Sequence, residues 1–408
     1  MQLLFLISAL LVTPVSGGEA EIYWGKKTFT IEKLPSDLPR SAREALEVWS
    51  PVAKELEYRF DLDPAARVLL VTRAKNSQIE KQMALAAAVI ESFDRELPAP
   101  PKRRSVTPPK LVPKLVAAGK AAPKKDAPAP VPEDPEDPDG GSHPWTLQPK
   151  PVEPPKATEN VTATTWGAQN AQPDTQTIVV FVVKNEEHFA VLLKALAKAV
   201  PHLEPWTKAA TALQGFVLGN PLMGAYLESH PSLEEWNPEH ELVNRLGRLC
   251  LLRRFGELPN WFVQGYAWHL EIRLQGGVYC FPWRDEFVWA VEHDAWPRDV
   301  EKRYETQHMK AKDFLGWKRG KYQNAEAQAS WGMVEYLLVK EAAKLPDLLD
   351  ELFVYREEHA LIQDDPSSWR RDTEYEIPIP EQERLLTAHL GPEYLERATL
   401  YLRKELDP

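Results

Sequence analysis

An α+β fold, with a small mixed α/β N-terminal part followed by a mainly helical part, is what the sequence predicts. Two observations carry this expectation. In the first half, short runs of β-branched residues at 68–72 and 177–183 are each followed by residues at helical spacing. From about residue 233 onward the apolar pattern is helical almost to the C-terminus. Nine of the 14 Trp lie between Trp206 and Trp331, so the larger core belongs to the second half.

The first eighteen residues contain no charged side chain, and an apolar run at 3–12 precedes Pro14, Ser16, Gly17 and Gly18. This reads as a secretory signal peptide, too short to span a bilayer, and it predicts an exported chain, secreted or held in the periplasm or cell envelope. No later stretch has the length and apolarity of a transmembrane anchor. Residues 28–31 alternate as a short strand, residues 40–60 carry a helical pattern through Ala45, Trp49, Val52 and Leu56, and 68–72 reads as a buried strand. Asn76 and Ser77 suit the start of a helix running to about Leu97. Residues 19–97 thus form an N-terminal α/β part.

Seventeen of the 37 prolines fall between Pro98 and Pro155, where a basic block is followed by five acids at 133–139. Such composition buries too little apolar surface to offset its ordering entropy, so 98–175 is expected to be a disordered insertion. The α/β pattern resumes over 176–232. There a strand at 177–183 leads into a helix from Glu186, and two short strands flank Gly219-Asn220-Pro221. The insertion therefore interrupts one sheet. Residues 233–408 make up the helical part.

The formal charge is −11, with 49 Lys+Arg against 60 Asp+Glu, and nothing global supplies the basic face a nucleic-acid binder needs. Cys250 and Cys280 are the only cysteines. An oxidising compartment permits one bridge between them, while the apolar run around Cys250 equally suits a buried thiol. Neither reading supports a thiol enzyme.

Asn237-Pro238-Glu239 is a well-formed helix start, with an amide-accepting cap, a proline at the first position and an acid at the positive end of the dipole. The helix reads His240-Glu241-Leu242-Val243-Asn244 and runs to about Phe255, where Gly256 ends it. A second helix opens at Pro259-Asn260-Trp261-Phe262-Val263-Gln264-Gly265-Tyr266-Ala267 and ends near Gly276. On residues alone, Glu241 with Arg245 and Arg248 also fits a charged helix face.

The order of these parts resembles the gluzincins, the thermolysin-like zinc peptidases, and more closely the exported "peptidase MA-like" group. There a helix bearing His-Glu-x-x-His precedes one opening Pro-x-Trp-φ-x-Glu-Gly-φ-Ala, with φ apolar. Pro259, Trp261, Phe262, Gly265, Tyr266 and Ala267 match the second motif, and Gln264 follows His240 by 24 residues, the gluzincin interval. The resemblance implies a zincin-like fold, with His240 in the place of the first metal ligand and Glu241 in that of the general base. Asn244 stands where the second His belongs, and Gln264 where the ligand Glu belongs. Two neutral amides and one imidazole are a poor set for Zn²⁺, so the expectation is a catalytically inactive homologue with no cofactor, acting as a binding or structural module. Restoring both positions, Asn244→His with Gln264→Glu, is then expected to create zinc binding.

His269 and Glu271, five and seven residues past Gln264, are expected not to reach the vacated slot; His293 and His308 are further candidate replacement ligands. An active zinc metallopeptidase using such a ligand is the first alternative. The second is an envelope-polysaccharide binder using Trp268, Trp283, Trp289 and Trp296 as stacking platforms. The partner class is accordingly an unidentified protein or an envelope polymer.

Overall fold

The structure is a computed structural model, and it describes residues 21–24, 27–63, 65, 67–100, 160–161, 175–229, 236–281, 292–317, 322–365, 368–372 and 375–406. The expected signal peptide, most of the Pro-rich segment, and both Trp283 and Trp289 lie outside these residues.

The chain is mixed α/β and mostly helical, built on one seven-stranded sheet. Its first half contributes β1 (Ile22–Trp24), β2 (Lys27–Phe29), α1 (Arg40–Glu55), β3 (Arg59–Asp63), β4 (Val68–Thr72) and α2 (Asn76–Glu96). Within the Pro-rich segment, β5 (Asn160–Val161) is a two-residue strand of a smaller sheet. Then come β6 (Ile178–Val183), α3 (Glu186–Ala199), α4 (Glu204–Ala209), β7 (Gly215–Gly219) and β8 (Leu222–Leu227). The large sheet has the order β2-β1-β3-β4-β6-β8-β7, and β4 and β6, from either side of the Pro-rich segment, are parallel neighbours with Val68 opposite Ile178.

The helix read over 40–60 ends earlier, at Glu55, and residues 59–63 form β3 instead. The stop is a Schellman turn: Tyr58 N–H donates to Ala53 O at 2.7 Å and Glu57 N–H to Lys54 O at 3.2 Å. Glu57 takes the left-handed position (φ 56°) that glycine usually fills, so composition gave no warning. The strand read over 28–31 is also shifted, to Lys27–Phe29, and Ile31 begins a 3₁₀ turn.

Alternation along the central strands splits the core by face. Leu69, Val71, Val179, Phe181, Met223 and Ala225 point to the side covered by α1, α3 and α4. Val68, Leu70, Ile178, Val180, Val182 and Tyr226 point to the other, where they join α2 and the helical half in one continuous core.

That half comprises α5 (Pro238–Phe255), α6 (Asn260–Gln275), α7 (Glu292–Thr306), α8 (Lys312–Leu315), α9 (Asn324–Lys340) and α10 (Leu345–His359). It closes with β9 (Leu361–Asp365), β10 (Ser368–Arg371), α11 (Ile379–Leu390) and α12 (Tyr394–Lys404). β10 pairs with both β9 and β5. Helix α5 lies on β7 and β8 and against α2, while α6 runs back along α5 and is covered on its far side by α9. With neighbours on both sides, α6 is buried nearly all round, which is why it reads as apolar on every face.

Candidate functional site

The start of α5 forms as its sequence requires. The Asn237 side chain accepts from the backbone N–H of Glu239 at 3.1 Å and of His240 at 3.4 Å, and Pro238 occupies the first turn. This places His240, Glu241 and Asn244 in the first two turns, all buried by the facing α6 and the segment after it.

The residue that meets His240 is Glu271. Its Oε2 lies 3.1 Å from His240 Nδ1, and its Oε1 accepts from Asn244 Nδ2 at 2.6 Å. A carboxylate only accepts, so Nδ1 of His240 carries the proton. Beyond α6, Gly276 adopts the left-handed conformation (φ 83°) and turns the chain back, so that the N–H groups of Tyr279 and Cys280 also donate to Glu271 Oε2, at 2.7 and 3.0 Å. Glu271 is fully buried and engaged by these four donors.

The expectation that Glu271 falls short of this cluster is therefore wrong, and so is the placing of Gln264 in it. Helix α5 continues eleven residues past Asn244, and the two helices run antiparallel with Gly247 against Ala267 and Leu270. In that register the partner of Asn244 is residue 271. Gln264 sits two turns back on α6, about 10 Å along the axis, and its Oε1 is buried without a hydrogen-bond partner. The 24-residue interval does not bring the residues together because the first helix is too long.

Glu241 is paired with Arg245 one turn on, and its Oε1 accepts from the Cys280 thiol at 3.5 Å. The i,i+4 pair forms as expected but is buried rather than solvated. Burial, with Glu241 and Glu271 nearby, pushes the Cys280 thiol well above its usual value, so it carries no nucleophilic thiolate. Cys250 and Cys280 are both buried and unbridged. His293 packs against the Tyr279 ring and bonds Val278 O at 2.8 Å, while His308 is exposed. Neither joins His240.

His269 faces elsewhere. Its Nδ1 lies 2.5 Å from Glu335 of α9 and its Nε2 3.1 Å from Glu96 of α2. Arg273 and Tyr266 also bond Glu96. Burial opposes protonation of His269, but Glu335 and Glu96 outweigh it and raise the pKa to about 9. Burial likewise works to raise Glu96, yet His269 and Arg273 hold it below the usual carboxylate range. Three helices are tied by this cluster, and no local pattern announces it because its members lie far apart in the chain.

The second motif has a packing account. Trp261 Nε1 donates to Gln382 Oε1 at 2.9 Å, Tyr266 donates to Glu96 at 3.2 Å, and a Cβ on Gly265 would meet Ser330 O at 2.8 Å, so α6 and α9 can touch only with glycine there. Trp268 and Trp296 are buried against each other, which removes them as a sugar platform.

No family model matches the chain, and no curated protein is significantly similar to it. Among the described residues, no group of three or more His, Cys, Asp or Glu side chains is placed to hold a metal ion, and no helix is long and apolar enough to cross a membrane. The residues at His240 do not fit a zinc ion: Asn244 presents its amide N–H₂ to Glu271, Gln264 is elsewhere, and the accepting capacity of Glu271 is taken up by four donors.

Proposed function

We propose that this chain is an exported, catalytically inactive protein of zincin-like architecture that works as a binding or structural module, and that the cluster around His240 holds the α5–α6 hairpin together. The observation that carries the reading is the saturation of Glu271. A carboxylate with four internal donors and no exposed surface has a structural task and is not waiting for a ligand. Glu241, the residue in the general-base position, is likewise held by Arg245 and Cys280. The partner class consistent with export is another protein or an envelope polymer.

One observation favours an active zinc peptidase with a replacement ligand: a carboxylate, Glu271, does stand beside His240. Metal analysis of the purified chain separates the two. The proposal expects no stoichiometric zinc after gel filtration, and one firmly retained zinc ion per chain overturns it. The geometry also changes what a restoring substitution needs. Asn244→His adds a second imidazole beside His240 and Glu271 and is expected to introduce zinc binding by itself, whereas Gln264→Glu, about 10 Å away along α6, is expected to add nothing.

A further inference from the structure

The carboxyl ends of the parallel strands β4, β6 and β8 and the start of the antiparallel β3 lie at one end of the large sheet. There a buried phenol and a half-buried imidazole are paired. The Schellman turn after α1 sets Tyr58 in place, and the cap of α3, in which Asn185 Oδ1 accepts from the His188 N–H at 3.0 Å, sets His188 against it. The Tyr58 hydroxyl oxygen accepts from the Lys184 backbone N–H at 2.8 Å and lies 3.0 Å from His188 Nδ1. Tyr58 is 2% exposed, and its hydroxyl has no other partner among the described residues. Its proton therefore goes to His188 Nδ1, which accepts, and the imidazole carries its own proton on Nε2. Charges from four elements bear on that state. Lys184 at the end of β6 and Arg73 at the end of β4 oppose an imidazolium, as does the positive end of the α3 dipole, while Glu187 on α3 and Glu57 in the turn after α1 favour one. Glu57 is itself paired with Arg73 at 3.0 Å. Burial and the two cations prevail and hold His188 below its usual value. Burial pushes Tyr58, with Glu228 nearby at the end of β8, up to about 12, so it stays a phenol.

We propose that Tyr58 and His188 form an acid-operated latch, which joins the end of α1 to the start of α3 at neutral pH and opens when His188 gains a proton. An imidazolium donates at both nitrogens and cannot accept the phenol proton, so a closed latch would leave the Tyr58 O–H buried without an acceptor. His188 is only half-buried. Turning outward hydrates the imidazolium and loosens the first turn of α3 and the Lys184 N–H beside it. The latch does not depend on the reading of the His240 cluster.

Imidazole NMR titration of the full chain, with hydrogen exchange of the Lys184 amide, tests this. His188, assigned by the signal missing in His188→Gln, is expected to titrate below the ordinary 6.5. Tyr58→Phe removes the donor to Nδ1 and is expected to tighten proton binding by His188 about threefold. Because the folded value lies below the ordinary one, the latch contributes fully above about 6.5 and is lost as pH falls below it. Protection of the Lys184 amide is therefore expected to fall at least about threefold between about pH 7 and about pH 5 in the natural sequence. It is expected to hold in His188→Gln, whose carboxamide does not titrate. A His188 midpoint at or above 6.5, a midpoint unmoved by Tyr58→Phe, equal protection at the two pH values, or the same fall in His188→Gln would each overturn the proposal.

Discussion

His240 and His269 sit on the same helical hairpin, both buried, both against glutamate, and the two sites solve the burial of polar groups in opposite ways. At His240 a single carboxylate is shared among an imidazole, a carboxamide and two backbone N–H groups. At His269 a single imidazole is shared between two carboxylates, and Arg273 adds a second cation. The first arrangement draws its donors from local chain geometry, namely two side chains one turn apart on α5 and the chain reversal at Gly276. The second draws on charges carried by three separate helices. Loss of one partner is therefore expected to cost most where the donors are fixed backbone and cannot reorient.

Glu271→Ala gives the largest effect. It strands four buried donors, and a loss of about 4 kcal/mol in urea-induced unfolding is expected, against about 2 kcal/mol for Glu335→Ala, which leaves His269 its bond to Glu96. Equal losses would remove the contrast between the sites.

His269→Gln comes next, at about 3 kcal/mol near neutral pH. Here the pH dependence is the sharper readout. The folded pKa of about 9 lies above the ordinary 6.5, so the stabilisation is fully present below about 6.5 and declines as pH rises through about 9. Glu96 is shifted the other way, so its contribution is present above the ordinary carboxylate range and is lost as pH falls through its depressed value. Unfolding followed across this range is expected to show the alkaline decline in the natural sequence and not in His269→Gln. Gly265→Ala, which pushes α6 from α9 beside that cluster, is expected to cost about 2 kcal/mol by thermal or urea unfolding without altering the pH profile. Smallest is Asn237→Ala, about 1 kcal/mol by the same measurement, since it removes the cap of α5 but leaves Glu271 its donors.

Much of this fold is legible in the residues. The strands at 68–72 and 178–183, the cap at Asn237 and the stops at Gly256 and Gly276 follow from local chemistry, and the structure has them where their residue types place them. Strand β3 is hidden because Glu57 does the work of a glycine. The site is less legible than the fold. Counting 24 residues from His240 to Gln264 reads a distance along the chain, whereas which side chains meet depends on where the hairpin turns. The eleven further residues of α5 move the meeting point to Glu271. The partners of His269 are invisible for a related reason: Glu96 and Glu335 reach it only through tertiary packing.

The parallel pairing of β4 with β6 also has a consequence for the order of biosynthesis. Val68–Thr72 is wholly buried in the finished sheet, yet one of its two edges waits for a strand that leaves the ribosome more than a hundred residues later. A nascent or truncated chain ending before Ile178 presents that apolar edge unpaired, which makes it a ready template for self-association and a natural client for chaperones until β6 arrives.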